Sequence, residues 1–328
     1  MNTKISNLSS ENFSKTFKQR MKEKYPDFYA LLNGTVVFFY NVYKYPINLY
    51  KVILSRLKYE TEKMTPHQLA SGNCINLYME TDWRAKLVAS RKTEKCIELI
   101  DFIEEARHAD LIWDIGANYG EFTLGQFKKN LKPNVKIISV EPNPKMFKSL
   151  EASIRISNIN DLCTPLKVAL SEEDGTAIFN IDLFTSGSST LLSEVSNKAQ
   201  TFFGLRTLKI PTTLKRAETI AKELNLNLSG KLLMKIDVEE KDFDVLYSAK
   251  KLIDECSGYR IVLETAIDSA SKAYIDYKDF LESLFQKSDT ISAIYKNEHH
   301  LVKSWDEYLS HFAIANSHID LMFTRNWK

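Results

Sequence analysis

Four carboxylates stand where an apolar run stops: Asp114, Glu141, Asp237 and Glu264. Acids in such places hold a cationic or hydroxyl-bearing ligand, or take a proton from an acceptor. The first lies in the stretch Leu111-Ile112-Trp113-Asp114-Ile115-Gly116-Ala117-Asn118-Tyr119-Gly120-Glu121-Phe122-Thr123. Its apolar start suits a buried parallel strand. Gly116 and Gly120 then turn the chain into a helical pattern of Phe122, Leu124, Phe127 and Leu131. A strand that ends in glycines and opens a helix is expected to leave free backbone N–H groups at one spot. Glycine also lets a ligand lie against the backbone. The spacing is G-x-x-x-G, not the G-x-G-x-x-G of dinucleotide enzymes. Asp114 is expected to face the ligand, where a carboxylate repels a pyrophosphate and attracts an amine. That favours S-adenosylmethionine (AdoMet), which carries an α-amino group and a sulfonium. Taken alone, the motif also fits an ordinary strand-turn-helix corner.

Residues 136–141 read as the next strand, and Glu141 ends it 21 residues after Gly120. In a doubly wound sheet the acid at that place accepts hydrogen bonds from ribose hydroxyls. Pro142-Asn143-Pro144 turns the chain and starts a helix with proline in its first turn. Asp237 and Glu239 end a later apolar run, 232–239, and strand alternation puts residues two apart on one side. Either is a candidate general base, with Glu264 near them by topology. Contact with the cofactor's amino group, or a structural hydrogen bond, is the alternative for the pair. Three acids at neighbouring strand ends also suit a hard cation. A divalent metal is left open but not favoured, since acids equally serve a cationic cofactor, and no residue is assigned to one. Lys235 pairs these acids or flanks them. His299 and His300 follow a strand and read as solvated loop residues, a role as base being the less favoured alternative.

These residues need a frame. Strands are expected over 136–141, 166–170, 176–181, 208–212, 232–239, 260–264, 291–295 and 319–324. Helical spacing falls between them, at 146–156, 217–224, 243–253 and 280–285. The alternation implies a doubly wound α/β sheet, with ligands at the carboxyl ends of its strands. Pro211 marks 208–212 as an edge strand, and 185–190 reads as a flexible polar loop. Residues 65–108 read as mostly helical, Thr65-Pro66 opening one segment, so 1–108 is taken as an N-terminal helical region beside a domain over 109–328.

The chain has 328 residues, 44% hydrophobic and 26% charged, with a net charge of +2. Nothing there draws it to nucleic acid. Cys74, Cys96, Cys163 and Cys256 form no C-x-x-C pair and fit free thiols in a reducing cytoplasm. The polar start has no apolar core of a signal peptide. Residues 28–57 are rich in aromatic and aliphatic side chains but broken by Gly34, Lys44 and Pro46, which argues against a spanning helix. Packing on the domain or in a homodimer is favoured; peripheral contact with a membrane is the alternative.

With the acids placed, the chain resembles the FkbM family of AdoMet-dependent O-methyltransferases. The matching pieces are Asp114-Ile115-Gly116-Ala117-Asn118-Tyr119-Gly120, Val140-Glu141-Pro142-Asn143-Pro144, Val168-Ala169-Leu170-Ser171, Ser186-Gly187-Ser188-Ser189-Thr190-Leu191 and Lys235-Ile236-Asp237-Val238-Glu239. The resemblance implies a class I (Rossmann-like) methyltransferase sheet of seven strands, the last antiparallel. It implies a cofactor site of Asp114, Gly116, Asn118, Tyr119, Gly120 and Thr123, then Glu141, Pro142 and Asn143, then Ala169, Ser188, Ser189 and Asp237. It implies methylation of a hydroxyl, here on a saccharide or glycoconjugate, with Asp237, Glu239 and Glu264 as catalytic candidates. The family continues Asp-Val-Glu with Gly, whereas this chain has Glu240, a side chain expected to reshape the acceptor pocket. A non-catalytic AdoMet-binding or scaffold protein with the same fold is the rival reading. A dinucleotide oxidoreductase is disfavoured by the missing G-x-G-x-x-G.

Overall fold

The computed structural model describes residues 49–327 apart from 91, 127, 192–205, 240, 266, 296 and 313–318. The aromatic run at 28–57 therefore lies outside the described residues as far as 48, and so does Glu240. Positions 49–58 are helical. The chain forms two compact units, Met1–Ile53 and Leu54–Lys328, and the second carries every described strand.

Its main sheet has the strand order β12-β11-β13-β10-β9-β3-β4-β5. The central strands are β3 (Leu111–Ile115), β4 (Lys136–Val140), β5 (Cys163–Leu166), β9 (Lys231–Ile236) and β10 (Gly258–Thr265), all parallel. β13 (Ile319–Arg325) runs antiparallel to both β10 and β11 (Thr290–Tyr295). This is the doubly wound sheet expected, with an antiparallel last strand. An eighth strand, β12 (Glu298–Leu301), returns from β11 as a hairpin and extends the edge. It carries His299 and His300, so they lie in a strand and not a loop. His299 Nε2 sits 2.7 Å from Asp101 Oδ2.

The sequence accounts for the centre of this sheet. All five residues of β3 and five of the six in β9 are buried, because helices cover both faces of a parallel sheet. Strand order diverges on either side of β3, toward β4 on one side and β9 on the other, which opens a crevice at their carboxyl ends. Helix α4 (Pro144–Ile156) follows β4. Asn143 caps it by accepting a hydrogen bond from Lys145 N at 3.0 Å, and Met146, Leu150 and Ile154 face the core.

Several expectations need correction. Residues 65–108 are not mostly helical: β1 (Thr65–Gln68) and β2 (Cys74–Leu77) form an antiparallel hairpin before α1 (Trp83–Ala89) and α2 (Ile97–Glu105). Serines one helical turn apart on α4 receive β2. Asn76 N donates to Ser153 Oγ at 2.8 Å, Cys74 N to Ser157 Oγ at 2.9 Å, and Ser149 Oγ donates to Asn76 O. Small hydroxyl side chains let the strand backbone approach the helix and satisfy its polar groups.

The strand expected at 166–170 splits. β5 ends at Leu166, and β6 (Ala169–Leu170) leaves for a three-stranded sheet ordered β6-β8-β7. In it β7 is Gly175–Asp182 and β8 is Thr207–Lys215. β8 is central rather than an edge, yet β6 pairs only with Leu214 and Lys215. Pro211 thus lies where β7 alone flanks β8, and its missing N–H disturbs no ladder. The helix after Gly120 is one turn, α3 (Glu121–Leu124), not a run to Leu131. Among the described residues no helix is long and apolar enough to cross a membrane.

Candidate active site

The turn after β3 depends on left-handed backbone: φ is +73° at Gly116, +50° at Asn118 and +88° at Gly120. Its N–H groups are not free, contrary to expectation. Gly116 and Ala117 both donate to Val140 O, at 3.0 and 2.9 Å, and Gly120 donates to Ala117 O at 2.7 Å. Asn118 N donates to Glu141 Oε2 at 2.7 Å, while Glu141 Oε1 accepts from Asn143 N at 2.8 Å. The turn is therefore a support for Glu141, not an anion cradle. Glu141 is buried, and burial pushes its carboxyl up to about 7 against the pull of those two amides. A carboxylate accepts about four hydrogen bonds, so two backbone donors leave Glu141 capacity toward the cavity it lines.

Asp114 does not face that cavity. It is fully buried beneath the turn, and its Oδ2 accepts from Thr123 N at 3.0 Å and Thr123 Oγ1 at 2.7 Å. Thr123 Oγ1 also lies 2.6 Å from Ser139 Oγ on β4. Asp114 and Thr123 thus fasten α3 to the strands. Strand-end position identifies such an acid, but not whether it points forward to a ligand or under the helix.

The cavity encloses about 1140 Å³, including its open mouth. Gly116, Asn118, Glu141 and Pro142 line it from the β3 and β4 ends, with Ala169 beyond them. Ser188 and Ser189 line it from the polar loop, and Asp237, Glu239 and Glu264 from the β9 and β10 ends. Asp114, Tyr119, Gly120, Thr123 and Asn143 stand behind this wall. Asp237 and Glu239 arrive together for a reason other than strand alternation. β9 stops at Ile236, and Glu239 is left-handed at φ +56°, with Thr190 Oγ1 donating to its carbonyl at 3.1 Å.

The polar loop is not a loose flap. Ser186–Ser188 forms a 3-10 turn, and Ser186, Ser189 and Thr190 are buried. Ser186 N donates to Asp82 Oδ1 at 3.2 Å, and Ser186 Oγ to Asn118 Oδ1 at 3.1 Å. Tyr119 Oη donates to the other oxygen of Asp82 at 2.8 Å. Asp82 therefore joins α1, the glycine turn and the serine loop at one carboxylate.

At the β9 end Lys235 is buried and donates to Gly116 O at 2.9 Å. Its ammonium lies 3.2 Å from Asp237 Oδ2 and 3.7 Å from Asp114 Oδ1. Burial alone would raise the Asp237 carboxyl. Lys235 and a hydrogen bond from Glu264 override it and hold Asp237 at about 2. The Asp237 charge, then burial, push the Glu264 carboxyl well above the carboxylate range, so Glu264 keeps the proton of the pair. With its side chain 33% exposed, Asp237 is the ionised member that reaches the cavity. Among the described residues no cluster of three or more His, Cys, Asp or Glu side chains is arranged to hold a metal.

Comparison with known proteins decides the family, for residues 114–313 match the model of the methyltransferase FkbM domain. The chain belongs to the FkbM methyltransferase family. It is similar to methyltransferase sdnD of Sordaria araneosa, at 29% identity over 154 residues, covering 41% of this chain and 58% of that protein. It thus spans little more than half of that relative's length. Solved structures resembling it include the FkbM methyltransferase of Methylobacillus flagellatus KT, at 14% identity and a TM-score of 0.38 over 66% of this chain and 44% of that one. Another is the O-methyltransferase TomG of Streptomyces achromogenes in complex with AdoMet, at 12% identity and a TM-score of 0.38 over 70% of this chain and 79% of that one.

FkbM methyltransferases use AdoMet, and the residues of this FkbM domain fit it. Glu141 is a buried carboxylate with acceptor capacity toward the cavity, as ribose hydroxyls need. Ala169 and Leu170 give an apolar wall beyond it, and Asp237 brings a negative charge to the cavity, as a cationic ligand needs. The lining residues absent from the expected site include Trp83, Arg84, Glu121, Phe122 and Lys241. Trp83 and Arg84 come from the first turn of α1, which Asp82 caps by accepting from Arg84 N at 2.9 Å.

The Glu141 carboxyl yields a pH prediction. Its folded value, about 7, stands above the ordinary 4.5, so its contribution to stability is full below 4.5 and lost as pH rises through 7. Glu141→Gln should remove that loss, on the order of 1–3 kcal/mol, in urea titrations of the unliganded domain. Binding of S-adenosylhomocysteine should tighten as pH rises through about 7 in the unaltered protein only. Equal pH profiles in the two proteins would exclude this role.

Proposed function

We propose that this chain transfers the methyl group of AdoMet to a hydroxyl oxygen of a saccharide or glycoconjugate. The observation that carries the reading is the ionised Asp237 facing the cavity beside a Glu264 that keeps its proton. Bound there, AdoMet supplies an electrophilic methyl carbon on a good leaving group. Asp237 accepts the hydrogen bond of the acceptor hydroxyl and fixes one lone pair toward that carbon. A carboxylate held at about 2 is a weak base, so it orients first. It receives the proton late, when the new oxygen–carbon bond has made the hydroxyl strongly acidic. Glu264 and Lys235 keep Asp237 in one place throughout, which is the preorganisation such a step needs. Glu239 and Lys241 also line the cavity and offer a polyol hydrogen-bonding partners, which supports a sugar over an apolar acceptor.

Free cysteines among the described residues support a reducing, cytoplasmic setting. The aromatic composition of 28–57 supports packing on this domain or a second copy ahead of a membrane surface. Methyl-labelled AdoMet incubated with mono- and oligosaccharides, alongside amines and thiols, tests the function. Mass spectrometry should find the label on a sugar oxygen. Label on nitrogen or sulfur, or S-adenosylhomocysteine bound without any transfer, would refute it.

A further inference from the structure

We infer that Arg84 and Glu121 form a clamp for the aminocarboxylate end of AdoMet, Arg84 taking the carboxylate and Glu121 the ammonium. The inference rests on the AdoMet reading and deepens it. The order of the cavity wall gives the direction. Glu141 stands at the end of β4, on one side of the glycine turn, with apolar Ala169 and Leu170 beyond it. Asp237 stands at the end of β9, on the other side. A ligand whose ribose meets Glu141 therefore directs its base toward Ala169 and its charged tail toward β9. Phe122, the neighbour of Glu121, lies there, its ring 5.1 Å from the Lys235 ammonium.

Three cations line the cavity among the described residues: Arg84, Lys235 and Lys241. The Lys235 ammonium already faces Gly116 O, Asp237 and Asp114. Lys241 pairs with Asp244. Arg84 differs. Its Nε and Nη2 both donate to the same oxygen, Glu121 Oε2, at 3.1 and 2.6 Å. A guanidinium has five donors in a fixed fork, and Nη1 has no hydrogen-bond partner among the described residues. Glu121 is buried, its side chain 7% exposed, and its second oxygen, Oε1, has no partner either. An Arg–Glu pair ordinarily engages both oxygens, and a buried carboxylate oxygen without a donor needs an explanation. A zwitterion supplies both missing partners at once, a carboxylate for Arg84 and an ammonium for Glu121, whose enclosed Oε1 comes to the cavity by rotation of the carboxylate. An acceptor that is merely anionic would satisfy Arg84 and leave Oε1 as it is.

Calorimetry on the full chain with three ligands tests the clamp. S-adenosylhomocysteine carries both groups, its decarboxylated analogue only the amine, and 5′-methylthioadenosine neither. Arg84→Gln should weaken S-adenosylhomocysteine at least about tenfold and leave the other two unchanged. Glu121→Gln should weaken both amine-bearing ligands and spare 5′-methylthioadenosine. Unchanged melting of the unliganded variants shows that they fold. If Arg84→Gln does not fold, Arg84→Lys is read in its place, since it keeps the charge and loses the fork. Equal weakening of all three ligands, or no weakening of S-adenosylhomocysteine, overturns the clamp while the AdoMet reading stands. Failure of the unaltered protein to bind any of the three overturns both.

Discussion

Asp237→Asn is expected to slow methyl transfer by roughly 10²- to 10⁴-fold while S-adenosylhomocysteine still binds. Asparagine keeps the shape but loses the charge that orients the acceptor hydroxyl and receives its proton. The variant should fold, because Lys235 keeps Gly116 O and Asp114 as partners. The change also reaches Glu264. Its carboxyl is held high first of all by the Asp237 charge, so removing that charge lowers it and lets it ionise at a lower pH. Residual activity should therefore have a shifted pH profile, which a purely steric defect would not give. Initial rates across pH provide the measurement. A loss under about tenfold would mean that another group meets the acceptor.

Gly116→Ala is expected to cost more than about 4 kcal/mol and to leave little folded protein. A methyl group at Gly116 would lie 1.8 Å from the carbonyl oxygen of Asp237. The obstacle is backbone, so no side-chain rotation relieves it. The φ of +73° adds roughly 1–2 kcal/mol for any residue with a β-carbon. Gly187→Ala is the control, since a methyl there meets nothing within 4 Å. Thermal or urea denaturation of both variants decides the matter. Equal stability of the two would show that the β3 turn and the β9 end can part enough to admit a methyl group.

The sequence revealed the centre of this fold better than its margins. β3, β4, β9 and β10 each hold a short apolar run, such as Leu111-Ile112-Trp113, Leu232-Leu233-Met234 and Ile261-Val262-Leu263, followed within a few residues by an acid, and a buried parallel strand leaves few other ways to write such a run. Gly116 and Glu141 were legible for the same reason, one turning the chain and the other closing a strand at a fixed distance. The β1–β2 hairpin was not. Its first strand, Thr65-Pro66-His67-Gln68, is mostly exposed and shows no alternation. Its second is recognised by serines of α4 that lie about 77 residues away in sequence. Arg84 escaped notice because a basic residue on a short helix reads as a solvated one until its cavity is seen. The acid at 114 was visible but its direction was not, since Thr123 and Asp114 meet only once α3 folds back.

The junction at Asp82 bears on timing as well as shape. It joins residues 37 positions apart, through Tyr119, and 104 apart, through Ser186. Closing such loops costs entropy that grows as about (3/2)RT ln n, and contacts of that reach slow folding. The serine loop is therefore expected to dock after the glycine turn that receives it. Once docked, it is held to α1 and the turn by a few hydrogen bonds rather than by a large apolar area, the pattern of a segment that opens below the cost of global unfolding. Amide exchange at Ser186 then works as a clock for the cavity: it counts how often the serine wall comes away while the sheet beneath stays whole.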